Sequence, residues 1–275
     1  MKNKLQIIAE IGWNHMGDIS LASQMIKSAK NAGATIVKFQ FWDPSYLKKG
    51  SWDEDGRREI YNKAALSLDD IKKLQNLAED HEVDFLISVF GTRGARIIND
   101  LGIKNIKIPS HETTNIDLIN FCADNFDYVY FSAGASLQAE VMTAVEILKN
   151  GIGKFNLMHC VSSYPVPMES SNISRLDWLK NLHDDIGYSD HTQSILAPSI
   201  AIAKGARVIE KHFTINKDLP GRDNKFALDP IEFKKMSDFI IETTNCLIDK
   251  GLDYQEIEKD TVNNYRGRWE PDDYK

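Results

Sequence analysis

Hydrophobic positions along the chain fall into two alternating patterns. Short apolar segments rich in β-branched residues recur, and longer segments with apolar residues at helical spacing separate them. The short segments predict strands at residues 5–10, 35–40, 84–89, 104–109, 128–132, 155–159, 185–188 and 207–211. The longer segments predict helices at residues 21–32, 71–79, 94–100, 116–124, 137–148, 174–182, 194–203 and 230–246.

Regular alternation of strands and helices indicates parallel strands joined by crossover helices. Eight such units in about 250 residues match a closed (β/α)8 TIM barrel of the α/β class. A doubly wound open sheet is the alternative, but no G-x-G-x-x-G turn follows the first predicted strand. We therefore expect a TIM-barrel catalytic domain over residues 1–250 and a polar C-terminal tail over residues 251–275.

Two segments exceed what a barrel requires. Residues 41–63 form a polar and aromatic insertion after the second predicted strand, where an active-site lid would lie. The tail carries an aromatic and basic patch, YRGRW, at residues 265–269. We expect this patch to pack on the barrel or on a neighbouring subunit.

Composition narrows the class of protein. The 33 basic and 40 acidic residues argue against a nucleic-acid surface or an anionic membrane as partner. Apolar runs are too short to span a membrane, and the first residues lead directly into a strand without a cleavable apolar segment, so a cytoplasmic protein is expected. Three widely spaced cysteines, Cys122, Cys160 and Cys246, are typical of reduced thiols.

Polar residues end every predicted strand, and in a TIM barrel the chemistry lies at the carboxyl ends of the strands. Lys38 and Lys107 stand inside apolar runs, where alternation directs them away from the helix layer and into the barrel. The other candidates at or just beyond strand ends are Glu10, Gln40, Ser88, Ser110, Glu112, Ser132, His159, Ser162, Tyr164 and Ser189. Lysines and serines together are suited to binding phosphate and carboxylate groups.

Two histidines predict a metal site. His191 and His212 end the seventh and eighth strands, and adjacent strands are about 4.8 Å apart, so one divalent ion could bind both imidazoles. Glu10 and Asp223 could supply or orient oxygen ligands, whereas His15 is a weaker candidate. Together with the lysines, this pattern indicates a phosphorylated anionic substrate that reacts beside a Lewis acid.

Several motifs, in this order, resemble those of the sialic acid synthase family. They are IAEIGWNHMGD at 8–18, VKFQ at 37–40, KIPSHE at 107–112, HCVSSYP at 159–165, SDHT at 189–192, EKHF at 210–213 and LPGRD at 219–223. The family includes N-acetylneuraminate, legionaminate and pseudaminate synthases. The resemblance implies a phosphoenolpyruvate-dependent condensation with the aldehyde of an N-acetylated amino-hexose, which yields a nine-carbon 2-keto-3-deoxy acid for a surface glycan, and phosphate.

The resemblance also implies roles for individual residues. His191 and His212 match the metal ligands, with Mn²⁺ as the implied ion and Mg²⁺ or Co²⁺ as alternatives. The residues that match the phosphoenolpyruvate site are Lys38, Ser88, Lys107, Ser110, Ser132 and Ser189. Those that match positions near the sugar or the attacking water are Glu10, Gln40, Glu112, Ser162, Tyr164 and Asp223.

A mechanism follows as a hypothesis. The metal polarises the aldehyde, C3 of phosphoenolpyruvate attacks it, and water adds at C2 before phosphate leaves. Glu10 or Asp223 activates the water, because a carboxylate can accept its proton. Lys38 and Lys107 neutralise the departing phosphate.

The sequence departs from the family pattern in four places. The pair Ser162 and Ser163 is closer to the pseudaminate and legionaminate branch, His111 replaces a usual glycine, and the motif after the third strand has one hydroxyl fewer. The resemblance also implies a homodimer in which an antifreeze-like C-terminal domain supplies an arginine to the partner's sugar site, and a chain that stops at Lys275 is expected to lack that domain. Three arrangements are expected as alternatives for this chain. Arg266 or Arg268 of the tail replaces that arginine, a separate antifreeze-like protein supplies it, or the sugar is bound without it.

Two other functions remain as alternatives. A TIM-barrel aldolase would form a Schiff base through Lys38, Lys107 or Lys211, would be trapped by borohydride and would be indifferent to chelators. A non-catalytic relative would bind the sugar without consuming phosphoenolpyruvate.

Overall fold

Eight parallel strands close into a barrel in the computed structural model, which describes residues 5–269. The strands pair in sequence order, and the last pairs with the first. They are β1 (Gln6–Gly12), β2 (Ile36–Phe41), β3 (Asp84–Val89), β4 (Asn105–Ile108), β5 (Tyr128–Ser132), β6 (Lys154–Cys160), β7 (Ile186–Asp190) and β8 (Val208–His212). The predicted TIM barrel is confirmed, and no predicted strand boundary is displaced by more than two residues.

Helices follow the strands and form the outer layer. They are α1 (Ile19–Asn31), α2 (Arg57–Ala64), α3 (Leu68–Asp80), α4 (Thr92–Asp100), α5 (Ile116–Asn125), α6 (Gln138–Asn150), α7 (Arg175–Leu182), α8 (Ala197–Ala203), α9 (Pro230–Cys246) and α10 (Lys259–Asn264). Every predicted helix is present. The helix predicted at 194–203 begins three residues later, with Pro198 in its first turn, where a missing N–H costs nothing. Helices α2 and α10 were not predicted.

Polar side chains cap the starts of two helices. Asp18 Oδ1 accepts a hydrogen bond from Leu21 N at 3.0 Å at the start of α1. Ser67 and Asp70 form a reciprocal capping box at the start of α3. Each cap satisfies N–H groups that have no acceptor within the helix.

The inside of the barrel consists of an apolar floor beneath a polar layer. The floor is a buried cluster of Ile8, Ile36, Leu86, Tyr130, Met158 and Val208. Two residues further along four of these strands stand Glu10, Lys38, Ser88 and Glu210, all buried. Because alternate residues of a strand share a face, the polar layer faces the same interior as the floor. The opposite strand faces pack on the helices in one continuous hydrophobic core.

The insertion predicted at residues 41–63 packs over the loop that follows β1. Trp42 lies edge-on to Trp13 with 6.1 Å between ring centroids, and Tyr61 of α2 lies 5.2 Å from Trp13. Gly17 has φ +81°, and a Cβ at this position would lie 2.2 Å from the carbonyl oxygen of Lys63. The end of the insertion therefore contacts the β1–α1 loop closely enough to require glycine.

The C-terminal segment lies beyond α9. Arg268 places its guanidinium over the rings of Tyr265 and Trp269, at 4.7 and 5.1 Å, and both rings are at least half exposed. The predicted patch therefore has contacts within itself and is largely exposed, and its packing on the barrel or on a neighbouring subunit stays a prediction. Residues 1–4 of the predicted domain and 270–275 of the predicted tail lie outside the described residues. Within residues 5–269, no helix has both the length and the apolar content needed to cross a membrane.

Candidate active site

A cavity of about 1330 Å³ opens at the carboxyl ends of the strands, directly above the polar layer. Its wall includes nearly all of the predicted site residues: Glu10, Lys38, Gln40, Ser88, Lys107, Ser110, Glu112, Ser132, Tyr164, Ser189, His191, His212 and Asp223. Ser162 is not part of the wall, but its Oγ lies 2.6 Å from that of Ser110, which is. Residues from all eight strands or their loops thus meet at one opening.

Lys38 lies in the polar layer, on the side of β1 and β2. Lys38 Nζ lies 2.8 Å from Glu10 Oε2 and donates to Ser88 Oγ at 2.9 Å. Gln40 Nε2 donates to the other oxygen of Glu10. These contacts fix the ammonium and the carboxylate side by side, in a pocket where both are almost completely buried.

The second lysine meets a carboxylate from the opposite wall. Lys107 Nζ donates to Glu210 Oε2 at 3.0 Å, while Glu210 Oε1 accepts from Ser189 Oγ at 2.9 Å and lies 3.6 Å from Lys38 Nζ. Glu210 therefore connects the two lysines. No role for Glu210 was predicted from the sequence. Its position two residues before His212, on the same strand face, is the signal that could have identified it.

Burial and pairing shape the charges of this cluster. Burial opposes ionisation of Glu210, yet Lys107 and Lys38 lower its pKa to about 2, so it is a carboxylate at neutral pH. Burial raises the pKa of Glu10, although Lys38 opposes the change. Burial lowers the pKa of Lys107, with Glu210 opposing, whereas Glu10 and Glu210 outweigh burial and raise the pKa of Lys38. The two acids therefore differ in basicity, and Glu10 is the better proton acceptor.

Hydroxyl groups line the wall next to the lysines. Ser132 Oγ is buried without a hydrogen-bond partner among the described residues, and it lines the cavity. Further out, Glu112 accepts from Asn115 Nδ2 at 2.6 Å. A buried hydroxyl that faces a cavity without a partner is suited to an oxygen-rich ligand, which would supply the missing hydrogen bond.

The two predicted metal ligands lie together on the opposite wall. The rings of His191 and His212 have centroids 5.5 Å apart. His191 Nδ1 lies 2.8 Å from the carbonyl oxygen of Val161, which can only accept, so Nδ1 carries a hydrogen and the lone pair of the neutral ring is on Nε2. His212 Nδ1 is buried without a hydrogen-bond partner among the described residues, 3.6 Å from Asp223 Oδ2.

This pair of imidazoles fits a divalent ion. Burial, reinforced by His191 and Lys38, lowers the pKa of His212 well below its ordinary value, so His212 keeps the neutral form that binds metals. Within residues 5–269, no group of three or more His, Cys, Asp or Glu side chains is arranged to hold an ion. The remaining ligands would therefore come from water and substrate, as in open catalytic sites. Glu10, a suggested oxygen ligand, is instead bound to Lys38 and Gln40.

Tyr164 covers the histidines at the mouth of the cavity. Its ring centroid lies 4.1 Å from that of His191 and 5.7 Å from that of His212. The ring centroid of Phe226 lies 5.6 Å from that of Tyr164 and 5.1 Å from that of His212, and it completes an aromatic rim that was not predicted from the sequence. Burial raises the pKa of Asp223, below this rim, to about 7.

Other candidates lie elsewhere or have different partners. His15 and His159 are completely buried and lie outside the cavity wall; His15 Nδ1 accepts from Gly17 N, and His159 Nε2 donates to Ser171 O. Lys211 is paired with Asp190 and also lies outside the wall, so it is not available to form a Schiff base with a ligand there. Cys160, which received no role, does line the cavity, with Sγ 3.8 Å from His191 Nδ1.

Known proteins resemble this chain in sequence and in fold. Residues 25–251 match the model of the NeuB family. The N,N'-diacetyllegionaminic acid synthase of Legionella pneumophila is 34% identical over 258 residues, which cover 88% of this chain and 72% of that protein. The pseudaminic acid synthase of Campylobacter jejuni is 31% identical over 266 residues, covering 92% and 78%. The crystal structure of a sialic acid synthetase from Leptospira borgpetersenii in complex with citrate has a TM-score of 0.86 at 32% identity and covers 97% of this chain and 94% of that one.

Proposed function

The chain belongs to the NeuB family, and from this premise we propose that its cavity condenses phosphoenolpyruvate with the aldehyde of an N-acetylated amino-hexose. The three carbons of phosphoenolpyruvate and the six of the sugar form a nine-carbon 2-keto-3-deoxy acid, with release of phosphate. The observation that carries the proposal is the pair of buried lysines, Lys38 and Lys107, that faces the same cavity as His191 and His212.

The lysines are the proposed binding site for phosphoenolpyruvate. Lys38 and Lys107 both contact Glu210, and the nearby hydroxyls of Ser88, Ser132 and Ser189 complete a polar pocket. An entering phosphate and carboxylate would compete with the acids for the ammonium groups. Buried charge-assisted hydrogen bonds of this kind orient the substrate and neutralise charge that develops as phosphate leaves.

His191 and His212 are the proposed ligands of a divalent ion, with Mn²⁺ as the proposed occupant and Mg²⁺ or Co²⁺ as alternatives. When bound, the ion would supply Lewis-acid polarisation of the sugar aldehyde. Tyr164, which covers both imidazoles, would exclude water from this part of the site. Gln40, Glu112 and Asp223 are the proposed sugar-side residues, and Ser162 is proposed to act through Ser110.

Glu10 is the proposed proton acceptor for the attacking water. After C3 of phosphoenolpyruvate bonds to the aldehyde carbon, the former aldehyde oxygen is negatively charged and C2 is electron-poor. C2 adds water, and one proton of that water passes to Glu10 and from there to the former aldehyde oxygen, which becomes a hydroxyl. The tetrahedral C2 then becomes a ketone as its bond to the phosphate oxygen breaks, and the proton of its hydroxyl passes to the departing phosphate. Burial raises the pKa of Glu10, and Lys38 and Gln40 hold the carboxylate in place, which supports this role.

A direct assay tests the proposal. The chain is incubated with Mn²⁺, phosphoenolpyruvate and a panel of 2-acetamido and 2,4-diacetamido hexoses, and inorganic phosphate is measured. Phosphate release that depends on both a hexose and the ion is expected. Borohydride trapping of a keto substrate without any metal requirement would support the aldolase instead, and sugar binding without phosphate release would support the non-catalytic relative.

The proposed setting is the cytoplasm, which the three free cysteines support because free thiols persist in reducing compartments. The proposed partner is a second copy of the chain, or a separate antifreeze-like protein that supplies an arginine. The high exposure of Leu252 and Ile257, both beyond α9, supports a partner near this segment.

A further inference from the structure

An ion pair lies behind the two histidines, on the outer face of the barrel wall. Lys211 Nζ is 2.6 Å from Asp190 Oδ2, and both side chains are at most 1% exposed. Asp190 immediately precedes His191 on β7, and Lys211 immediately precedes His212 on β8. Neither member of the pair lines the cavity, so their contact with substrate is excluded.

Asp190 shapes the turn that carries His191. Its Oδ1 accepts from the backbone N–H of Thr192 at 2.8 Å, which closes a turn with His191 at its centre. The hydroxyl of Thr192 donates to Oδ2 at 3.1 Å, and Tyr188 donates its OH to Oδ1 at 3.0 Å. The carboxylate is thus saturated with donors, and the backbone on both sides of His191 is held by one group.

Lys211 ties the neighbouring strand to the same turn. Besides Asp190, its ammonium donates to the carbonyl oxygens of Thr192 and Ser194, the latter at 3.0 Å. Its own backbone lies next to His212. A single side chain therefore connects the segment that presents one imidazole to the segment that presents the other.

The desolvation cost of the Asp190–Lys211 ion pair indicates a role beyond packing. Two buried charges lose their hydration, and an apolar pair of similar volume is often as stable or more stable. What an apolar pair cannot do is direct hydrogen bonds to particular carbonyl groups in a neighbouring turn. The specific consequence of the ion pair is a fixed relation between β7 and β8 at the point where the histidines emerge.

We propose that Asp190 and Lys211 are positioning residues that set the relative placement of His191 and His212 for a shared divalent ion. The inference rests on the proposed metal role of the two histidines. The pair would act on ion affinity from behind the ligands, without touching the ion or the substrate, as outer hydrogen-bond partners of metal ligands do.

Metal binding, measured without substrate, tests the inference. Mn²⁺ is titrated into the folded chain and free Mn²⁺ is followed by electron paramagnetic resonance, with thermal unfolding recorded in parallel. We expect Lys211→Met to weaken Mn²⁺ binding about 10- to 100-fold. Because this variant leaves Asp190 as an unpaired buried charge, a second variant, Asp190→Asn with Lys211→Met, removes both charges. It should recover thermal stability while its Mn²⁺ affinity remains low.

A control variant tests whether the loss of any ion pair would change Mn²⁺ affinity. Lys204, which directly follows α8, pairs with Asp177 of α7 at 2.5 Å on the protein surface, so Lys204→Met should leave Mn²⁺ affinity unchanged. Wild-type affinity in the folded double variant would overturn the inference. His191→Gln tests the premise separately: loss of Mn²⁺ binding in that variant supports it, and undiminished binding overturns both the metal assignment and the inference.

Discussion

Lys107 of β4 and Glu210 of β8 meet inside the barrel, with 3.0 Å between Nζ and Oε2, although 103 residues separate them in the chain. The two strands stand on opposite sides of the closed sheet. The contact therefore connects β4, which carries a lysine proposed to bind phosphate, with β8, which carries His212.

Replacing Lys107 by methionine is expected to lower phosphate release by at least about 10²- to 10³-fold, because the departing phosphate loses a buried cation. The variant should also be less stable by about 3 to 5 kcal/mol, because Glu210 loses its closest cation. The double variant Lys107→Met with Glu210→Gln removes both charges and serves as the folding control. Phosphate release and urea unfolding are measured for both, and normal turnover by either would refute the role of Lys107.

Removal of metal is expected to abolish phosphate release reversibly. Treatment with a chelator followed by gel filtration should leave a folded, inactive chain, and added Mn²⁺ should restore turnover. His212→Gln should not respond to Mn²⁺, because one of the two imidazoles is missing. Full activity in the chelated protein, together with borohydride trapping, would instead indicate Schiff-base chemistry through one of the cavity lysines.

The ring of Tyr164 is expected to matter more than its hydroxyl. Its centroid lies 4.1 Å from that of His191, so Tyr164→Phe preserves the packing and should stay within about threefold of wild-type kcat/KM. Tyr164→Ala opens the mouth and should lower kcat/KM at least about tenfold, equivalent to the 1.4 kcal/mol that a lost aromatic contact can cost. Equal losses in the two variants would show that the hydroxyl is the functional group.

The contact between the insertion and the β1–α1 loop at Gly17 can be tested against a matched glycine. Gly17 and Gly56 have φ of +81° and +82°, but a Cβ would lie 2.2 Å from Lys63 O at Gly17 and would have no neighbour within 4 Å at Gly56. Gly56→Ala should cost only the backbone strain, about 1 kcal/mol. Gly17→Ala should cost about 1 to 3 kcal/mol more and raise KM, because the insertion must move. Similar unfolding free energies for the two variants would show that the contact between Gly17 and Lys63 is weak.

Stability is expected to fall in mild acid because of His15. Burial lowers its pKa to about 4, below the ordinary value of 6.5. Between these values the unfolded chain binds a proton that the folded chain excludes, so folding weakens as pH falls through this window, by about 3 kcal/mol in total. His15→Asn, which keeps an acceptor for Gly17 N, should remove this part of the pH dependence in urea titrations, whereas an unchanged slope would contradict it.

Periodicity in the sequence determined the barrel, its eight strands and the inward direction of Lys38 and Lys107. These features depend on the local alternation of apolar and polar residues, which can be recognised in the sequence wherever one face of a strand is buried. The same alternation brings Glu210 to the face of His212, although its role was not assigned. The helix in the insertion was missed, because a polar segment on the rim has no strong apolar period.

Only the tertiary structure decided which charged groups meet. Lys38 and Lys107 stand inside apolar runs and Lys211 follows one, yet the first two face the cavity acids and the third pairs with Asp190 behind the histidines. The stagger of the strands in the closed barrel decides which side chains lie opposite one another. No local sequence pattern predicts that relation, because it involves segments that are far apart in the chain. The sequence therefore supplied the chemical groups, and barrel closure selected their partners.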